Sequence, residues 1–71
     1  MPEVTIRDES IRLGQLLKLA GAAEDGGHAR MLIEAGEVSV DGAVETRRGA
    51  RVHLGARVRV AGETYVVRRE E

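Results

Sequence analysis

Arg47, Arg48, Arg51, Arg57 and Arg59 lie between Val44 and Val60 against the single acid Glu45, a local formal charge of +4 with His53 neutral. A guanidinium can bind phosphate bidentately and stack on an exposed base, and ten of the eleven basic residues are arginine, a bias that points towards nucleic acid. A solvated strand face or a set of ordinary ion pairs accounts for the same composition. The total charge of -1 conceals this basic middle, because Glu3, Asp8, Glu9, Glu70 and Glu71 place much of the negative charge at the ends.

Enzyme chemistry finds little to work with. His28 and His53 are the only histidines, and neither belongs to an HExxH or HxH cluster. Cysteine is absent, which removes thiolate nucleophiles, disulfides and cysteine metal sites together. Ser10 and Ser39 have no spacing that suggests a nucleophile and its base, and Glu34 and Glu37 fall on different predicted elements. The three glycines between Gly21 and Gly27 lack both the P-loop ending and the preceding strand of a dinucleotide fingerprint. The expectation is therefore a non-enzymatic chain with no metal and no cofactor.

The 71 residues allow one small domain with a single core of two packed layers. Val, Leu, Ile and Ala supply nearly all of the 42% hydrophobic fraction, since there is one Tyr and no Phe or Trp. No run approaches the roughly 20 apolar residues of a membrane span, and Met1-Pro2-Glu3-Val4 lacks the pattern of a secretory leader. A soluble, cytoplasmic and monomeric domain is expected.

Residues 1–9 read as a polar lead-in with a short strand at Val4 to Arg7. Ser10 is placed to cap a first helix whose Leu13, Leu16, Leu17 and Ala20 share one face, and Gly21 ends it. Asp25 caps a second helix running to about Ala35, with Ala29, Leu32 and Ile33 inward and Gly36 as terminator. Gly26 and Gly27 weaken its first turn by roughly 1 kcal/mol each relative to Ala, so that turn depends on packing. Its free N–H groups could receive phosphate, but the Asp25 carboxylate competes for them and repels an anion.

After Gly36 the period changes to two at Val38 and Val40, at Val52 and Leu54, and at Val58 and Val60, with a last short strand at Tyr65 to Val67. A tight hairpin at Asp41-Gly42 sets Ala43 opposite Val40 and Glu45 opposite Val38, which leaves Val44 on the other face with Ser39. That phase predicts an early exit from the hairpin, with residues 45–50 as a loop. The predicted order is two helices followed by a small, mostly antiparallel sheet.

Three blocks together resemble the S4 RNA-binding domain, and among its members the very small free-standing bacterial S4-like proteins. They are Arg12-Leu13-Gly14-Gln15-Leu16-Leu17-Lys18, the run from Gly27 to Gly42 that includes Gly27-His28-Ala29-Arg30-Met31-Leu32, and Arg47-Arg48-Gly49 with Leu54-Gly55. The resemblance covers roughly residues 10–67. It implies an α+β, alpha-L fold in which two packed short helices precede a small bent sheet, with an S4-like domain at 10–68 and a polar tail at 69–71. It further implies a module that recognises structured RNA through phosphate and shape, ribosomal RNA being one such target. Arg12, Lys18 and Arg30 would position the helical face, while Arg47, Arg48 and Arg51 would grip an adjoining backbone. Arg57 and Arg59 fall towards the far side of the sheet.

Many S4 domains open the second helix with Ser-Arg, whereas here Asp25-Gly26 replaces a phosphate-facing arginine with glycine. The other reading is a protein-interaction adaptor, in which the same scaffold docks on a ribosomal or other acidic protein.

Overall fold

Val4 and Ile6 alternate with Glu3 and Thr5, and this period of two turns the apolar pair to one side of the chain. In the computed structural model, which describes residues 1–70, the alternation becomes strand β1, Glu3–Ile6, with Val4 and Ile6 buried. Strand β2 (Ser10–Arg12), helix α1 (Leu13–Leu19) and helix α2 (Gly26–Glu34) follow. Strands β3 (Val38–Val40), β4 (Ala43–Val44), β5 (Arg51–His53), β6 (Arg57–Val60) and β7 (Glu63–Arg69) complete the chain. The main sheet has the order β1-β7-β6-β3-β4, and β2 with β5 forms a separate antiparallel ribbon. Among the described residues every pairing is antiparallel except that of β1 with β7. The α+β class and the mostly antiparallel sheet are as expected, with the difference that a second strand, β2, stands between the lead-in strand and the helices.

The core joins the helices to one face of the sheet. Leu13, Leu16 and Leu17 of α1 and Ala29 and Ile33 of α2 are buried in one cluster with Val38, Val58, Val60 and Val67. Each fully buried aliphatic side chain contributes about 1.5–3 kcal/mol, which is what holds helices of seven and nine residues that would not persist alone. Both end in the same way. Gly21 (φ 76°) donates to Lys18 while Ala22 donates to Leu17, and Gly36 (φ 78°) donates to Ile33 while Glu37 donates to Leu32. This paired bonding satisfies the last carbonyls and needs a left-handed residue where each glycine stands.

The two helix starts differ. Asp25 caps α2 as expected, its Oδ1 accepting the His28 amide at 2.8 Å, and His28 Nδ1 in turn accepts the Glu24 amide at 3.1 Å. Ser10 does not cap α1. It lies in β2 opposite His53, and α1 begins three residues later, after Arg12 in extended backbone with no side-chain cap. The first amides of α1 find partners in a distant loop instead, Leu13 donating to the Ala50 carbonyl and Gly14 to that of Arg48, both at 2.9 Å.

The strand expected at Val4 to Arg7 forms one residue earlier, at Glu3–Ile6, and takes the edge of the sheet. The C-terminal end extends the sheet further than the period of two indicated, and Arg69, placed in the tail, lies within β7 opposite Ile6. The expected strand at Tyr65 to Val67 lengthens to Glu63–Arg69 because β7 pairs with β6 along its first half and with β1 along its second. Arg68 and Arg69 hide that second half from a hydrophobic pattern, and they ion-pair with Glu3 and Glu9.

The hairpin follows the predicted register. Ala43 faces Val40, Val44 faces Ser39, and the Glu45 amide donates to Val38 before the chain leaves the sheet for residues 45–50. Asp41 and Gly42 both have positive φ, the turn geometry that matches strand twist.

Candidate nucleic-acid interface

A groove of about 310 Å³ runs between the two helices and the 45–50 loop. Its charged walls are Arg12 at the end of β2, Lys18 on α1, Arg30 on α2 and Arg48 in the loop, and no carboxylate lines it. Three elements far apart in sequence converge here for identifiable reasons. Gln15 and Lys18 are three apart on α1 and so share a face, as Gly26 and Arg30, four apart, do on α2. The Gly14 and Leu13 amides hold the loop against the start of α1, which brings Arg48 beside Arg12.

Pairing separates the cations sharply. Arg7 pairs with Glu70, Arg30 with Glu34, Arg47 with Glu45, Arg68 with Glu3 and Arg69 with Glu9. Among the described residues Arg12, Lys18 and Arg48 make no ion pair, so three of the groove's four cations have no competing carboxylate. The fourth, Arg30, donates to Glu34 at 2.9 Å across one exposed helical turn, a contact worth only about 0.3–0.5 kcal/mol and readily exchanged for phosphate.

Of the six arginines and lysines expected in a site, the structure gathers Arg12, Lys18, Arg30 and Arg48. Arg47 folds back on Glu45, with Nε 3.2 Å from Oε2 and Nη2 3.3 Å from Oε1, and its amide donates to the same carboxylate. This clasp holds the Glu45 carboxyl below the usual carboxylate range, chiefly through the Arg47 side-chain hydrogen bond, and raises Arg47 in turn. Arg51 stands opposite Arg12 in the β2–β5 ribbon but lines a neighbouring cavity. Arg57 and Arg59 are exposed on β6, whose alternate residues Val58 and Val60 face the helices, so they project from the far side of the sheet as expected.

Gln15 and Gly49 join the groove walls without having been singled out by residue type, whereas Gly26 stands where the family resemblance places a phosphate-facing residue. The signal for Gln15 was present, since it lies three residues from both Arg12 and Lys18 on the polar side of α1. The bare Gly26 faces open space, with no atom within 4 Å of where a Cβ would stand. Asp25 already occupies the His28 amide, so the start of α2 offers less to an anion than an uncapped helix would. No group of three or more potential metal ligands occurs among the described residues, and no helix there is long and apolar enough to cross a membrane.

A cationic groove without carboxylates, built from two short helices and a loop on a small sheet, defines a module for binding a polyanion. Residues 4–68 match the S4 domain, and the chain belongs to that family of non-catalytic RNA-binding modules. It is 44% identical over 57 residues to YbcJ of Escherichia coli, covering 80% of this chain and 81% of YbcJ. The solution structure of YbcJ, described as revealing an αL motif involved in RNA binding, superposes with a TM-score of 0.74 at 38% identity over 96% of this chain and 87% of that one. RlbA of Bacillus subtilis, named as a probable ribosome maturation protein, is 37% identical over 59 residues, 83% of each chain. The ribosomal protein S4e of Thermoplasma acidophilum shares the fold, with a TM-score of 0.62 at 22% identity over 82% of this chain and 31% of that one.

Proposed function

We propose that this chain binds a structured RNA, ribosomal RNA being the favoured class, by seating its phosphate backbone in the groove between α1, α2 and the 45–50 loop. The observation that carries this reading is the convergence of Arg12, Lys18 and Arg48, none of them ion-paired, on a groove that no carboxylate lines. Arg12 and Arg48 offer planar forks to phosphate oxygens, and Lys18 adds a point charge on the same groove. Arg30 joins by exchanging Glu34 for phosphate. Arg47 keeps the loop in shape through Glu45 and contributes to the field at longer range. The kinship with RlbA supports a ribosomal target, and no base-specific contact is needed for recognition led by phosphate and shape.

The test is a fluorescence-anisotropy titration against structured, duplex and single-stranded RNAs across increasing salt. The affinity is expected to fall linearly with salt on a double-logarithmic plot, each lost phosphate contact reducing the slope by about 0.7–0.9. Arg12→Ala and Arg48→Ala should each lower both affinity and slope, with Arg47→Ala affecting them less. A folded protein that binds none of these RNAs at low salt, yet forms a nuclease-resistant complex with a ribosomal protein, would overturn the reading in favour of an adaptor.

A further inference from the structure

Beside the groove, on the other side of Gln15, lies a second cavity of about 360 Å³ with different chemistry. Its apolar lining comes from Ile6, which is buried, Ile11, which is half-buried, and Leu19, a large aliphatic residue left 58% exposed. Its polar lining includes Thr5, Ser10, Asp8 and Gln15. Arg51 and Arg7 bring two positive charges against two negative ones from Asp8 and Glu70, and Arg7 is already paired with Glu70 at 3.1 Å. The phosphate groove is cationic and free of acids. This cavity is neutral in sum, partly apolar and supplied with hydrogen-bonding groups.

We propose that this second cavity receives one unpaired nucleobase of the RNA whose backbone lies in the groove, a proposal that rests on the RNA-binding reading above. A phosphate would meet Asp8, whereas an uncharged base meets an apolar wall and polar groups that match its edge. The Asp8 carboxylate accepts from an exocyclic amine, and the Gln15 amide both donates and accepts. Gln15 lines both cavities, so a base turned out of the bound strand has a short path from one to the other. The volume lies within the range of ordinary small-ligand sites, about 300–1,000 Å³.

Stacking identifies the remaining partner. RNA modules commonly hold a splayed base against an aromatic ring or an arginine plane. This chain has a single aromatic residue, Tyr65, which does not line the cavity. Arg51 does, and among the described residues it makes no ion pair that would engage its guanidinium. Arg51 stands opposite Arg12 in the ribbon, at the edge of the phosphate groove, yet lines this cavity instead, where its plane can cover a base. The preferred RNA is then a stem interrupted by an unpaired nucleotide.

The proposal is tested by anisotropy with two fluorescein-labelled RNA hairpins that differ only in one bulged adenosine. The wild-type protein should bind the bulged hairpin about fivefold or more tighter, the low end of what stacking one base contributes. Leu19→Ser removes apolar wall without touching the groove, and should bring the two affinities together while leaving the fully paired hairpin bound as before. Arg51→Lys keeps the charge but loses the plane, and should likewise reduce the ratio. Equal wild-type affinities for the two hairpins, or a preference that survives both substitutions, would overturn the base site while leaving the phosphate reading intact. Failure of both hairpins to bind at low salt would overturn both.

Discussion

The amide of Gly14 donates to the carbonyl of Arg48 at 2.9 Å, and this bond between the first turn of α1 and a loop thirty-four residues later sets one wall of the groove. It serves two ends at once. It satisfies an amide that a helix start leaves open, in place of a capping side chain, and it fixes the backbone from which the Arg48 guanidinium extends.

A Cβ on Gly14 would stand 3.5 Å from the Arg48 carbonyl oxygen and 3.6 Å from its Cβ, which is ordinary contact. Gly14→Ala should therefore fold normally and gain up to about 1 kcal/mol from helix propensity, with RNA affinity preserved. Gly14→Val sends further methyl groups into that space and should push the loop away. Thermal melts and anisotropy on the same samples should show the valine variant still folded but several-fold weaker on RNA.

Gly26 lines the groove and faces open space. Gly26→Arg should add one phosphate contact and steepen the salt dependence by about 0.7–0.9 in slope. The helix-propensity gain, up to about 1 kcal/mol, offsets the like-charge cost against Arg30 one turn away, about 0.2–0.5 kcal/mol, together with the cost of a cation at the positive end of α2, about 0.3–1 kcal/mol. Tighter RNA binding without loss of melting temperature is the expected result.

The Glu45–Arg47 clasp sets an acid limit on the loop. Because the Arg47 hydrogen bonds lower the folded-state pKa of Glu45 below the ordinary carboxylate value, its contribution is complete above that value and is lost as pH falls through the lowered one. A side-chain carboxyl NMR titration should give Glu45 a midpoint below 4.5 that returns towards the ordinary value in Arg47→Ala. The Arg47 amide resonance, whose donor bond goes to the same carboxylate, should move with it. Above pH 6 the loop should be insensitive to this group.

Ala61 sits at φ 54° beside Gly62 at φ 78° in the turn between β6 and β7. An L-residue with a Cβ pays about 1–2 kcal/mol for that conformation, and asparagine tolerates it best after glycine. Ala61→Asn should therefore stabilise the fold by about 1 kcal/mol in denaturant melts, with no change in RNA affinity because the turn lies outside the groove.

Several elements were legible without the fold because short-range bonds determine them. Gly21 and Gly36 stop their helices by bonds that span five residues, Asp25 caps the residue three places on, and the Asp41-Gly42 turn sets its own register. The S4 family pattern is readable for the same reason, since its markers are mostly such local signals at fixed spacing. The cations of the groove were legible as residue types, and the helical period put Gln15 beside Lys18.

Long-range pairing decided the rest. Ser10 looks like a helix cap until His53 arrives opposite it and draws the segment into a strand. The alternation around Val4 and Ile6 marks a short strand, but not its partner; β7, some sixty residues later, pairs with it in parallel and the sheet buries Val4 and Ile6. Nor does composition distinguish Arg47 from Arg48, which are adjacent in the chain and identical in type. One is clasped by a carboxylate two residues back, and the other is brought to the groove by the Gly14 amide. Periodicity reports which way a side chain faces within its own element, but the partner that element meets depends on the path of the whole chain.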